Sequence, residues 1–185
     1  TKGPLRTKED FAGKVVRSAG GTMNLTISAL GASAAEIPSS DMYVAMERGT
    51  ADATLSALAS IKPYNVNELM NAVSTNGEFG SFSIAFSMTK AAWDGLSPEQ
   101  QILFTDCAGK TESSIAAFLD AEVTTLQDEF AANGVDVYEF TDAELSAINA
   151  DLSGVLDDWV KRLADRGLPA EQAVAAYRAL LDGGS

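Results

Sequence analysis

The sequence predicts an α/β fold on a parallel sheet, followed by a helical second half. Three observations carry this expectation. Within the first ninety residues, short β-branched or alternating runs are separated by segments of helical period, and strands that alternate with helices pair in parallel through crossovers. Ser97-Pro98-Glu99-Gln100 combines an N-cap, a proline at the first helical position and a capping-box glutamine, so a helix starts there. Thr141-Asp142-Ala143-Glu144 is a second capping box, placed after a glycine stop at Gly134.

In chain order, residues 14–17 read as a strand, and Thr22 caps a short helix on which Met23, Ile27 and Leu30 share one face. Gly31 stops that helix. Residues 36–38 are extended, and Ser39 or Ser40 caps a helix that runs through Arg48 and leaves through Gly49 in the left-handed region. Residues 52–55, 73–75 and 81–87 read as further strands, the last alternating Phe82, Ile84 and Phe86 on one face. A long helical period then covers residues 97–132. Leu103, Cys107, Ile115, Phe118, Leu119, Val123, Leu126 and Phe130 lie on its apolar stripe, read as core, with a bend expected near Gly109. Residues 135–140 read as a strand. One helix follows with Leu145, Ile148, Leu152, Leu156, Trp159 and Leu163 inward, ended by Gly167, and Pro169 opens a last helix through Leu181.

Composition narrows the function. The 185 residues carry 26 acidic against 13 basic side chains, a net charge of −13, which repels nucleic acid and anionic membrane surfaces. No window approaches the apolar length of a membrane span, and the first ten residues are too polar for a signal peptide, so a soluble protein or an already cleaved mature form is expected. Histidine is absent, which removes the usual general base and the commonest metal ligand. Cys107 is alone and reads as a small buried filler. No phosphate loop or dinucleotide pattern is present, so neither enzymatic chemistry nor a cofactor or metal is expected.

The most informative stretch is Gly13-Lys14-Val15-Val16-Arg17-Ser18-Ala19-Gly20-Gly21-Thr22. A strand delivers one arginine to its end and a glycine pair leads into a helix. Arg17 offers a planar fork that can grip a carboxylate bidentately, and freed backbone N–H groups at the helix start add positive potential. The competing reading is an ordinary strand-end arginine in a surface ion pair.

The order of residues along the chain resembles the solute-binding proteins of tripartite ATP-independent periplasmic (TRAP) transporters, from about Pro4 to Asp182. The resemblance is carried by Lys2-Gly3-Pro4-Leu5, Asp10-Phe11-Ala12-Gly13 before Lys14-Val15-Val16-Arg17, Ala29-Leu30-Gly31-Ala32, Pro38, and Tyr43-Val44-Ala45-Met46. It continues through Gly49-Thr50-Ala51-Asp52, Tyr64-Asn65-Val66 and the run from Ser87 to Glu99. It implies a type II periplasmic-binding-protein-like lobe with a parallel or mixed sheet, followed by long C-terminal helices. Residues 1–87 would be the second, ligand-binding lobe, 88–132 the bridging long helix, and 133–182 a returning strand and helices packing on the lobes.

The resemblance also implies a role. Arg17 would bind the carboxylate of a small organic acid, with Ser40 at a helix start and Ser56 or Thr54 after a strand lining the pocket. Members often have asparagine after the Val-Asp-Gly turn, where this chain has Asp52-Ala53-Thr54-Leu55-Ser56. Where many have Thr-x-His-Gly-Tyr, it has Thr75-Asn76-Gly77-Glu78-Phe79, making Asn76 a polar contact and Phe79 an apolar wall, with Glu78 turned away. The family's N-terminal lobe has no counterpart here, so a truncated or proteolysed product is expected, with apolar helix faces such as residues 118–130 exposed, covered by a partner, or self-associating. The implied protein is periplasmic, performs no chemistry and hands its ligand to membrane permease subunits. The alternative is an effector-sensing or protein-interaction domain, such as the ligand module of a regulator.

Overall fold

The computed structural model describes residues 3–80 and 85–182. Among these residues no helix is long and apolar enough to cross a membrane. Strand β1 (Val15–Ser18) is the centre of a three-stranded parallel sheet, flanked by β2 (Ser33–Glu36) and β3 (Ala53–Thr54) in the order β2-β1-β3. Arg17 is in register with Ala35 on one side and Thr54 on the other. Strands β4 (Ala72–Ser74) and β5 (Asp136–Tyr138) form a separate parallel pair. The expected α/β fold with parallel pairing is therefore present.

The crossover from β1 to β2 is α1 (Thr22–Ala29), which buries Met23, Leu25, Thr26 and Ile27. Its N-cap is Gly21, at φ 61° and ψ −132°, so Thr22 is the first helical residue rather than the cap. The extended segment expected at 36–38 lies earlier, because backbone pairing to β1 selects Ser33–Glu36. Pro38, with no N–H to give a ladder, turns the chain out of the sheet. A 3₁₀ turn at Ser39–Asp41 then leads into α2 (Met42–Glu47), and neither Ser39 nor Ser40 caps it. Gly49 leaves in the left-handed region as expected, at φ 73°. Three 3₁₀ turns, Leu58–Ser60, Lys62–Tyr64 and Val66–Glu68, carry the chain from β3 to β4. Of the strand expected over 81–87, residues 81–84 lie outside the described residues and residues 85–87 are without regular structure.

Thr89 caps a short helix, α3 (Lys90–Asp94), accepting from the Ala92 amide at 3.2 Å. The Ser97 capping box is formed and opens α4 (Pro98–Ala132), a helix of 35 residues that runs unbroken through Gly109. Only its C-terminal part is core: Leu126 and Phe130 are buried, while Leu103, Ile115 and Phe118 are exposed. Cys107 is exposed too, so it is not the buried filler expected from its spacing. The period was right, but a face is buried only where another element covers it.

The Thr141 capping box also forms and opens α5 (Asp142–Leu152). The single helix expected beyond it is interrupted at Ser153-Gly154 and resumes as α6 (Val155–Ala164), since the chain folds α6 against α1 instead of continuing straight. Gly167, at φ 74°, precedes α7 (Ala170–Asp182). Two apolar clusters hold these parts together. One joins Val16 and Ile27 to Tyr138, Phe140 and Ile148. The other joins Met42 and Met46 to Ile61, Leu126 and Phe130. Strand β5 and helix α5 thus pack into the same cluster as β1 and α1.

Candidate functional site

Alternation along β1 sends Val16 into the cluster with α1 and turns Arg17 to the opposite face. The Arg17 side chain is almost completely buried, at 2% exposure. Its Nε donates to the Ile37 backbone carbonyl at 2.7 Å and its Nη2 donates to the Ser39 hydroxyl at 3.0 Å. These bonds use two of the five N–H groups of a guanidinium. None of the ion pairs among the described residues involves Arg17. Burial pulls its pKa down, and the nearby Tyr64 phenol opposes that shift. An arginine stays protonated in a protein, so this is a buried cation held by neutral oxygens.

Its position follows from topology. Ile37 and Ser39 come directly after the carboxyl end of β2, and the Leu55 amide donates to the Arg17 carbonyl at 2.9 Å just beyond β3. The crevice outside the carboxyl ends of parallel strands is where open α/β sheets bind ligands.

The other sequence-selected residues distribute unevenly around it. Ser40 is exposed and turned towards Asp41 at 3.5 Å; the adjacent Ser39, read from sequence only as a candidate cap, is the serine that meets Arg17. Ser40 instead lines a shallow cleft of about 450 Å³ with Tyr43, Pro63, Tyr64, Asn65 and Glu68. Ser56 is half-buried and lines a larger, mainly apolar cavity of about 820 Å³ between the two sheets. Thr54, in register with Arg17, donates to the Met42 sulfur at 3.2 Å.

Asn76 lines neither space. Its Nδ2 donates to the Phe140 carbonyl at 2.9 Å and its Oδ1 accepts from the Phe140 amide at 2.8 Å, so its amide prolongs the β4–β5 ladder. In this structure the Asn76 amide is a structural join between β4 and the segment after β5. Phe79 sits between Phe11 and Phe140, with ring centroids 6.1 and 5.9 Å away, and Glu78 is exposed.

The glycine pair also differs from expectation. The Gly20 amide donates to the Ser18 hydroxyl at 3.1 Å, Ser18 is bonded to Asn24, and the Asn24 Nδ2 donates to Glu36 at 3.1 Å. The Glu36 carboxylate lies against Gly20 so closely that a Cβ there would stand 2.7 Å from it. The start of α1 is therefore neighboured by the chain's own carboxylate, and Arg17 lies on the face of β1 opposite to Val16. Sequence reading missed Ser39 and Tyr64; the only signals were their proximity to Pro38 and to the Tyr64-Asn65-Val66 segment.

Among known proteins, residues 1–162 match the DctP family model, described as bacterial extracellular solute-binding protein, family 7. A curated relative from Albidiferax ferrireducens, described as a solute-binding protein, is 26% identical over 144 residues, covering 75% of this chain and 42% of the relative. Two crystal structures share the fold. A TRAP solute-binding protein from Rhodoferax ferrireducens in complex with copurified benzoate matches with a TM-score of 0.82 at 20% identity, over 97% of this chain and 57% of that one. A TRAP periplasmic solute-binding protein from Bordetella bronchiseptica with bound (R)- and (S)-mandelate matches with a TM-score of 0.76 at 20% identity, over 98% and 58%. The chain spans about half the length of the relatives it matches.

Proposed function

We infer the function from one premise: the chain belongs to bacterial extracellular solute-binding protein family 7, the solute-binding proteins of TRAP transporters. On that premise it is a transport component, not an enzyme, and it works outside the cytoplasm in the periplasm. Its ligand is a small organic acid, gripped through the carboxylate by Arg17 and passed to the membrane permease subunits.

The observation that carries this reading is the buried Arg17 guanidinium, oriented by the Ile37 carbonyl and the Ser39 hydroxyl with no carboxylate paired to it among the described residues. Burying a cation costs free energy unless it is matched by an anion, and an incoming carboxylate supplies both charge and planar geometry. Ser56 and Ser40 are the polar groups proposed to meet the rest of the ligand, each contributing on the order of 0.5–1.5 kcal/mol as a neutral hydrogen bond.

Titration of the chain with benzoate and mandelate, followed by calorimetry and by NMR of the Arg17 Nε–H, tests this reading. Arg17→Lys keeps the charge but loses the fork, and a loss of about 2–5 kcal/mol is expected where the contact is desolvated. Unchanged binding of both acids by Arg17→Ala would remove Arg17 from the site.

A further inference from the structure

The cleft beside Arg17 has an electrostatic character opposite to that of the arginine. Its lining includes two phenols, Tyr43 and Tyr64, the Ser40 hydroxyl, and one carboxylate, Glu68. The Tyr43 hydroxyl donates to Glu68 Oε2 at 3.3 Å, which leaves the other carboxylate oxygen and further lone pairs available as acceptors. Glu47 also acts on Tyr43, and Asp41 stands next to Ser40. No lysine or arginine lines the cleft. Burial first, then the charges of Glu68 and Glu47, push the Tyr43 pKa up, so it remains a neutral phenol.

Two connections join this cleft to the arginine. Ser40 directly follows Ser39, which holds Nη2 of Arg17, and Tyr64 both lines the cleft and lies within electrostatic reach of the guanidinium. The loop that carries Tyr64 is held in an uncommon backbone state: Asn65, at φ 57°, is the one non-glycine residue with positive φ among the described residues. A positive pole at Arg17 and an acceptor-rich, negatively charged cleft next to it are complementary to a dipolar ligand.

We propose that the cleft lined by Ser40, Tyr43, Tyr64 and Glu68 is the subsite for the far end of the ligand and selects small carboxylic acids that carry a hydrogen-bond donor, a hydroxyl or an ammonium, away from the carboxylate. This rests on the reading of Arg17 as the carboxylate anchor. Glu68 is the specificity-determining residue: its carboxylate accepts the donor, and Tyr43 orients it. A plain aliphatic end would strip water from Glu68 and return no hydrogen bond, which is how a polar subsite rejects an analogue lacking the donor.

The test is an NMR titration of the 185-residue chain with butyrate, 4-hydroxybutyrate and 4-aminobutyrate, three flexible acids that differ in the far group. The expected result is at least fivefold tighter binding of one or both donor-bearing acids, with shifts at Tyr43 and Tyr64. Glu68→Leu, at an exposed position, should erase that preference and bind butyrate at least as tightly as the parent chain, because no carboxylate is left for the aliphatic end to strip of water. Glu68→Gln separates the two donors: an ammonium preference falls with the charge, whereas a hydroxyl preference survives on the amide oxygen. Equal binding of all three acids, with butyrate binding lost in Arg17→Ala, overturns the subsite but leaves the anchor standing. Butyrate binding that persists in Arg17→Ala overturns the anchor and the subsite together.

Discussion

Arg17 and Ile37 are linked by a 2.7 Å hydrogen bond from the guanidinium Nε to a backbone carbonyl, at the point where the chain leaves β2 and turns at Pro38. The Ile37 amide donates in turn to the Ser18 carbonyl at 3.1 Å, so the residue that orients the arginine is itself tied to the arginine's own strand. The fork is aimed by backbone geometry, which does not depend on the identity of a side chain. Only the second contact, to Ser39, can be removed by substitution.

Ser39→Ala therefore separates orientation from charge. The cation and the Ile37 bond remain, and one neutral hydrogen bond is lost, so carboxylate affinity should fall by about 0.5–1.5 kcal/mol. Calorimetry with benzoate checks this, and the drop should be well below that of Arg17→Lys. An equal loss in the two variants would mean that Ser39, rather than the fork, dominates the contact.

Asn76→Ala should act on stability and not on ligand. It removes both bonds to the Phe140 backbone and leaves that amide and carbonyl without their side-chain partner. The penalty for unsatisfied, partly buried groups is about 1–3 kcal/mol. Thermal unfolding should show a lower midpoint, with carboxylate affinity unchanged in the folded protein.

Gly20→Ala meets two obstacles, a φ of +95° and the Glu36 carboxylate 2.7 Å from the new methyl. The carboxylate is the end of an exposed, flexible side chain and can swing away at the loss of its bond to Asn24, whereas the backbone cannot relax. Strain then dominates, with an expected destabilisation of about 1–3 kcal/mol. Denaturant unfolding of Gly20→Ala in a Glu36→Ala background should recover only the smaller part.

Acid should weaken the fold through its capping carboxylates. Asp10 is held below its usual pKa chiefly by the amides of Thr7 and Arg6, both 2.9 Å away, and Glu144 chiefly by the Thr141 amide at 2.6 Å. A carboxylate whose folded pKa is depressed adds stability above its unfolded value, about 4, and loses it as pH falls through the folded value. Melting temperature should decline below pH 4, and Asp10→Asn with Glu144→Gln should flatten that decline. An identical slope in the double variant would assign acid sensitivity to other groups.

The exposed face of α4 should govern solution behaviour. Ile115 and Phe118 present large apolar surface there, so light scattering is expected to show concentration-dependent self-association of the 185-residue chain. Phe118→Glu should shift it towards monomer without lowering the melting temperature, because that side chain is 60% exposed. A strict monomer at high concentration would rule this out.

By itself the sequence determined the parts governed by local chemistry. The capping boxes at Ser97 and Thr141 form as read, because a side-chain oxygen three residues from an amide needs no distant partner. Parallel pairing of β1 with β2 and β3 followed from strands separated by crossover segments, and Arg17 at the end of β1 from its place in the Lys14-Val15-Val16-Arg17 run. Tertiary structure decided the rest. Whether the α4 stripe is core or surface depends on what lies against it, and the same period gives a buried Phe130 and an exposed Phe118. Whether Ser39 or Ser40 meets the arginine depends on how a 3₁₀ turn rotates two adjacent hydroxyls, and Asn76 bonds to Phe140 across 64 positions of chain. Contacts of that kind leave no local pattern, because they are selected by backbone groups that folding alone brings within reach.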